Sequence, residues 1–101
     1  MASQFVESKI RSGQVTVFIK AGCPYCRSAM EILKSYSFMP GGLQVVDIAQ
    51  LPETLDYLRQ TTNQRTVPYV FFGNECIGGL CDLQQMGPDL SRRLYAIGAL
   101  Q

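Results

Sequence analysis

Val15-Thr16-Val17-Phe18-Ile19 runs straight into Lys20-Ala21-Gly22-Cys23-Pro24-Tyr25-Cys26, and the organisation of the whole 101-residue chain can be worked out from this stretch. The β-branched run predicts a buried strand. The segment that follows, Arg27 to Tyr36, is amphipathic and predicts a helix. Cys26, Ala29, Met30 and Leu33 recur on it at the spacing of an apolar stripe laid on a sheet. Cys23 then falls on a strand-to-helix turn. In a Cys-x-x-Cys pair so placed, the first sulfur is exposed at the helix N-terminus and the second lies one turn inside, an arrangement suited to thiol chemistry.

Only the ionised sulfur attacks a disulfide, and a free cysteine is mostly protonated at neutral pH. The unsatisfied N–H groups of a first helical turn, together with the helix dipole, put positive charge where Cys23 sits. Lys20 and Arg27 add cations nearby, so the anion is expected to be stabilised. Pro24 suits the first helical position, where its missing N–H costs nothing. Tyr25 is expected to stand beside the site as an exposed aromatic wall. Cys26 can close a 23–26 disulfide or donate a weak hydrogen bond to the Cys23 thiolate. The same four residues could also form an inert reduced pair or half of a zinc knuckle.

The length predicts one domain spanning residues 1–101. Hydrophobic residues at 47% and charged residues at 17% are ordinary globular values, and a net charge of +1 gives no argument for nucleic acid or an anionic membrane. No apolar run is long enough for a membrane span, and Met1-Ala2-Ser3-Gln4-Phe5 lacks the layout of a signal peptide. A cytoplasmic location is therefore expected, where reducing conditions leave catalysis or metal binding as uses for paired cysteines. The chain has no histidine, which excludes a Cys-His hydrolase, a zinc-protease helix and an imidazole proton shuttle. Thiol–disulfide exchange needs no imidazole.

Taken in order, Ser3 is expected to cap a short helix to about Ser12, with Phe5, Val6 and Ile10 on its apolar side and Gly13 ending it. Pro40-Gly41-Gly42 breaks the chain before a second strand, Leu43 to Ile48, which gives a βαβ unit with parallel strands. Pro52 opens a third helix, with Leu51, Leu55 and Leu58 on one side. Tyr69 to Phe72, Gly73-Asn74 and Glu75 to Ile77 read as a β-hairpin. Gly78-Gly79 permits close approach or positive φ, and two terminal helices follow. The expected fold is α/β: a four-stranded mixed β-sheet with helices on both faces, the layout of the thioredoxin fold. Pro68 fits either a trans bond at a strand start or a cis Val67–Pro68 bond beside Cys23. The cis form would offer the Val67 backbone to an extended peptide.

Cys23-Pro24-Tyr25-Cys26, Thr66-Val67-Pro68 and Gly78-Gly79 followed by Asp82-Leu83 occur in this order and spacing in the glutaredoxin family. Phe18-Ile19-Lys20, Val46-Asp47-Ile48, Asp56-Tyr57-Leu58 and Ile97 to Gln101 match as well. The chain resembles a vertebrate-type cytosolic dithiol glutaredoxin over nearly its full length. That resemblance implies an oxidoreductase with glutathione as co-substrate and no metal. By resemblance, Lys20 and Arg65 would lie near the glycine carboxylate of glutathione, and Val67, between Thr66 and Pro68, would pair with its cysteinyl unit. Gly79, Leu80 and Cys81 would present N–H groups to the γ-glutamyl carboxylate, Asp82 would take the ammonium, and Tyr25 would border the ligand. The implied partners are glutathione, glutathionylated proteins and, as family expectations, ribonucleotide reductase or dehydroascorbate. A monomer is expected.

Three positions depart from the family pattern. Leu55 stands where relatives often carry a glutamine that reaches the glycine carboxylate, Tyr69 replaces an arginine expected on the rim, and Cys81 replaces serine. Weaker or altered glutathione affinity is the expectation. Cys76 and Cys81 read either as bystander thiols, one in a strand and one in a loop, or, for Cys81, as a secondary redox position. A four-cysteine zinc site is conceivable by ligand count alone. An iron–sulfur scaffold is the alternative by resemblance, disfavoured by Pro24. A thioredoxin-like reductase is disfavoured because the chain lacks tryptophan.

Overall fold

The computed structural model describes all residues, Met1–Gln101. The elements are α1 (Ala2–Lys9), β1 (Val15–Ile19), α2 (Pro24–Lys34), β2 (Leu43–Asp47), α3 (Pro52–Thr61), β3 (Tyr69–Phe72), β4 (Glu75–Gly78), α4 (Leu80–Met86) and α5 (Asp89–Ala96). The strands form one sheet in the order β2-β1-β3-β4, with β1 parallel to β2 and antiparallel to β3, and β4 antiparallel to β3. This is the mixed sheet of the thioredoxin fold. No helix is long and apolar enough to cross a membrane.

Period-two alternation sorts the strand side chains into two cores. Val15 and Val17 of β1 and Val70 and Phe72 of β3 face Ala29 and Leu33 of α2, Leu83 of α4, and Leu90 and Leu94 of α5. Phe18, Tyr69 and Phe71 point to the other side, against Val6 of α1 and Leu55 and Leu58 of α3. There Phe18 and Phe71 meet edge to face, ring centroids 5.7 Å apart. One polar cluster interrupts the apolar packing. The buried Gln14 amide donates to Lys9 O at 2.8 Å, Thr16 Oγ1 at 2.9 Å and Gln44 Oε1 at 3.0 Å. It fastens the end of α1 to the central and edge strands.

Several boundaries differ from the sequence expectation. α1 begins at Ala2 with Met1 as its N-cap and no side-chain cap, so Ser3 lies inside the first turn; the helix stops at Lys9 because Ile10 is already extended. α2 starts at Pro24, as expected for the first helical position, with the Cys23 side chain as its cap, but it ends at Lys34, short of Tyr36, where the Ser35 hydroxyl turns back to Ile32 O at 2.7 Å. Leu51 sits at the N-cap of α3, 37% exposed, and does not join the stripe of Leu55 and Leu58.

The topology gathers one end of the sheet into a site. β1 leaves the sheet at Ile19 next to the point where β3 enters it, since Phe18 pairs with Tyr69. β4 exits at the same end, with Gly78 opposite Val70. The Cys23 turn, the Thr66-Val67-Pro68 segment and the Gly78-Gly79 junction are neighbours for this reason.

Candidate active site

Lys20 to Cys26 form a compact turn. Gly22 takes φ +82, a conformation that favours glycine, and the Cys23 N–H donates to Lys20 O at 3.3 Å. Cys23 is extended at φ −90, ψ 114 and stands at the N-cap of α2 with Pro24 in the first turn. Its Sγ accepts the Cys26 N–H at 3.2 Å. Cys23 is half-buried, whereas Cys26 is 2% exposed. Burial, and after it the hydrogen bond with Cys23, pushes the Cys26 thiol up to about 12. Of the two sulfurs, the accessible one has a backbone donor and the buried one keeps its proton. Tyr25, 66% exposed, stands beside them as the expected aromatic wall.

A groove of about 360 Å³ opens next to Tyr25. One wall is Thr66, Val67 and Pro68, and the other is Gly79, Leu80, Cys81 and Asp82. Eight of the residues singled out from sequence therefore share one cleft. Cys23, Cys26, Lys20 and Arg65 lie outside its walls, the two cysteines in the adjoining turn. The Val67–Pro68 bond is cis. Neither the N–H nor the C=O of Val67 has a hydrogen-bond partner within the chain. Asp82 Oδ2 accepts the Gly79 N–H at 2.9 Å, and Gly78, at φ +124, has no room for a side chain beside that carboxylate. Lys20 and Arg65 form no ion pair.

Two expected rim positions are core positions. Tyr69 is fully buried and donates its hydroxyl to Gln64 O at 2.9 Å; burial pushes its phenol up. Leu55, 7% exposed, packs in the same cluster as Cys26, Val67 and Tyr69. The pleat of β3 and the stripe of α3 turn both side chains inward, so neither borders the groove. Cys81 is exposed and lies on α4, not in a loop, while Cys76 is partly buried, which raises its thiol. No three histidine, cysteine, aspartate or glutamate side chains come together to hold a metal ion. Sequence reasoning missed Gln64 and Gln84, which also line the groove. Gln64 lay in what reads as a plain polar connection, and nothing in its neighbourhood signals a contact with residues 66 to 79.

The profile of the glutaredoxin family matches residues 15–77. The chain belongs to the glutaredoxin family. Across its whole length this glutaredoxin is similar to Glutaredoxin-1 of Gallus gallus, 51% identical over 99% of each chain, and to Glutaredoxin-1 of Homo sapiens, 52% identical over 100% of each. A crystal structure of a buckwheat glutaredoxin–glutathione complex matches it with a TM-score of 0.89 at 29% identity, covering 100% of this chain and 94% of that one. This glutaredoxin is thus a glutathione-dependent thiol-disulfide oxidoreductase, and the sequence resemblance to the family holds.

Proposed function

We propose that the chain acts as one domain that reduces protein–glutathione mixed disulfides through Cys23. The Cys23 thiolate attacks the glutathione sulfur of the mixed disulfide. A Cys23–glutathione disulfide forms, the original S–S bond breaks, and the substrate thiolate leaves and takes a proton. The thiolate of a second glutathione then attacks the bound glutathione sulfur, which releases oxidised glutathione and regenerates Cys23. For a substrate with its own disulfide, Cys23 forms a mixed disulfide with it and Cys26 displaces the substrate sulfur, closing a 23–26 bridge that two glutathiones reduce.

The observation that carries this reading is the half-buried Cys23 Sγ at the helix N-cap, 3.2 Å from the Cys26 N–H. Its setting supports a glutathionyl ligand. The unpaired Val67 backbone suits strand-like pairing with a peptide. Asp82 has one oxygen on Gly79 and Oδ1 without a partner, available to an ammonium. Lys20 and Arg65, neither held in an ion pair, would supply charge for the glycine carboxylate, and Gly79, Leu80 and Cys81 on the groove wall would face the γ-glutamyl end. A monomeric enzyme kept reduced by the cytosolic glutathione pool fits this chemistry.

A glutathione-coupled assay on a glutathionylated peptide tests the scheme. Cys23→Ser should abolish turnover, and Cys26→Ser should retain it while losing reduction of dithiol substrates. Equal loss in both variants would refute the one-thiol route.

A further inference from the structure

Gln64 has no role in the scheme above, yet five hydrogen bonds converge on it. Its N–H donates to Thr62 Oγ1 at 3.2 Å, and its C=O accepts the Tyr69 hydroxyl at 2.9 Å and the Thr62 hydroxyl at 3.4 Å. Its side-chain NH₂ donates to Thr66 O at 3.2 Å and to Pro68 O at 3.3 Å. Both contacts are carbonyl oxygens, so only the NH₂ end of the amide can face them. The two hydrogens of that group are thereby spent on the carbonyls either side of Val67, whose own N–H and C=O stay free. Gly79 closes the arrangement from the other wall: a Cβ there would collide with Gln64 Nε2 and sit 3.3 Å from Pro68 O. Glycine at 79 is needed for space, since its φ of −119 suits any residue.

We propose that Gln64 is a positioning residue that holds the Thr66-Val67-Pro68 segment, through its two flanking carbonyls, so that the free Val67 edge can pair with the cysteinyl unit of a glutathionyl substrate. The inference rests on the function proposed above. Gln64 acts on binding and leaves the sulfur chemistry at Cys23 alone. Its loss should therefore appear in KM and in the affinity for an unreactive ligand, and not in kcat. Two neutral hydrogen bonds of ordinary strength correspond to a rise in KM of up to about thirtyfold.

The experiment compares wild type, Gln64→Ala and Gln64→Glu on a glutathionylated peptide at saturating glutathione. Binding of S-methylglutathione is followed in parallel through the Val67 amide signal. Gln64→Ala should raise KM and weaken S-methylglutathione binding by the same factor, with kcat retained. Gln64→Glu should be worse than Gln64→Ala, because its carboxylate faces two carbonyl oxygens with no proton to give. A substitution that only loosened the fold would not produce that order. Gln64→Met, which keeps the length of the side chain and removes its donors, should reproduce the KM effect and serves if Gln64→Ala does not fold. Unchanged KM in Gln64→Ala, a fall in kcat alone, or equal behaviour of Gln64→Ala and Gln64→Glu would each overturn the proposal. Should wild type turn over the peptide, Cys23→Ser fail to, and Gln64→Ala match wild type, this inference falls by itself; no turnover by wild type would instead refute the proposed function.

Discussion

The Cys23 turn and the neighbouring groove sit side by side but are built in opposite ways. The turn is local. Its bonds, Cys23 N–H to Lys20 O, Cys26 N–H to Cys23 Sγ and Arg27 N–H to Cys23 O, all close within a few residues of one another. The groove is assembled from Tyr25, the loop before β3 and the β4–α4 junction, and it depends on Tyr69 reaching Gln64 and Asp82 reaching Gly79. Reactivity in this fold is a property of one contiguous segment, whereas recognition is a property of the packing beneath it.

Damage to that packing should therefore separate the two regions. The largest effect is expected from Leu55→Gln. Placing an amide in the cluster under Val67 and Tyr69 should cost about 2–4 kcal/mol of stability, read as a lower urea midpoint. An unchanged midpoint with altered KM for glutathione would put residue 55 on the groove rim after all.

The next effect belongs to the turn and depends on pH. Burial raises the Cys26 thiol from 9.0 to about 12. Between those values the unfolded chain gives up a proton that the native state retains. Stability is then fully present below about pH 9 and is lost as pH climbs toward 12, by up to about 1.4 kcal/mol per pH unit. Melting temperatures measured from pH 8 upward should fall more steeply in wild type than in Cys26→Ser; parallel curves would remove the burial argument. Cys76 and Tyr69, also raised by burial, slope the same way and remain in both proteins.

The smallest effect isolates the groove. Tyr69→Phe deletes the hydroxyl bond to Gln64 O and nothing else, for about 1 kcal/mol. Alkylation of Cys23 should proceed at the wild-type rate while the affinity for S-methylglutathione drops slightly. A changed alkylation rate would mean that the turn leans on the groove.

The same contrast governs what the sequence could reveal. Val15 to Ile19, the Cys-x-x-Cys pair and Pro24 are adjacent, so spacing alone placed Cys23 at a helix cap and Cys26 one turn inside. The alternating faces of Tyr69 to Phe72 and the Gly73-Asn74 turn were legible for the same reason. Family resemblance marked positions 55 and 69 as places where relatives differ, but resemblance assigns a position without assigning a direction, and both side chains point into the core. Gln64 was invisible because no turn signal marks the bend that brings its amide back onto Thr66 O and Pro68 O, two and four residues on, or sets Gly79 against it from the other wall. The cap of α1 was misjudged at Ser3 because the helix starts two residues earlier, with Met1 as its cap, which makes Ser3 an interior residue.

The buried amide of Gln14 has a consequence at the far end of the sheet from the cysteines. Thr16 lies opposite Gln44 across β1 and β2, and the amide spans both while gripping the end of α1. If β2 slid by one residue, the Gln44 acceptor would swing to the opposite face and Val46 would leave its core. Such a slip would also leave the Gln14 amide, sealed from water, short of an acceptor. Gln14 thus works as an alignment key for β2, fixing which of its faces turns inward.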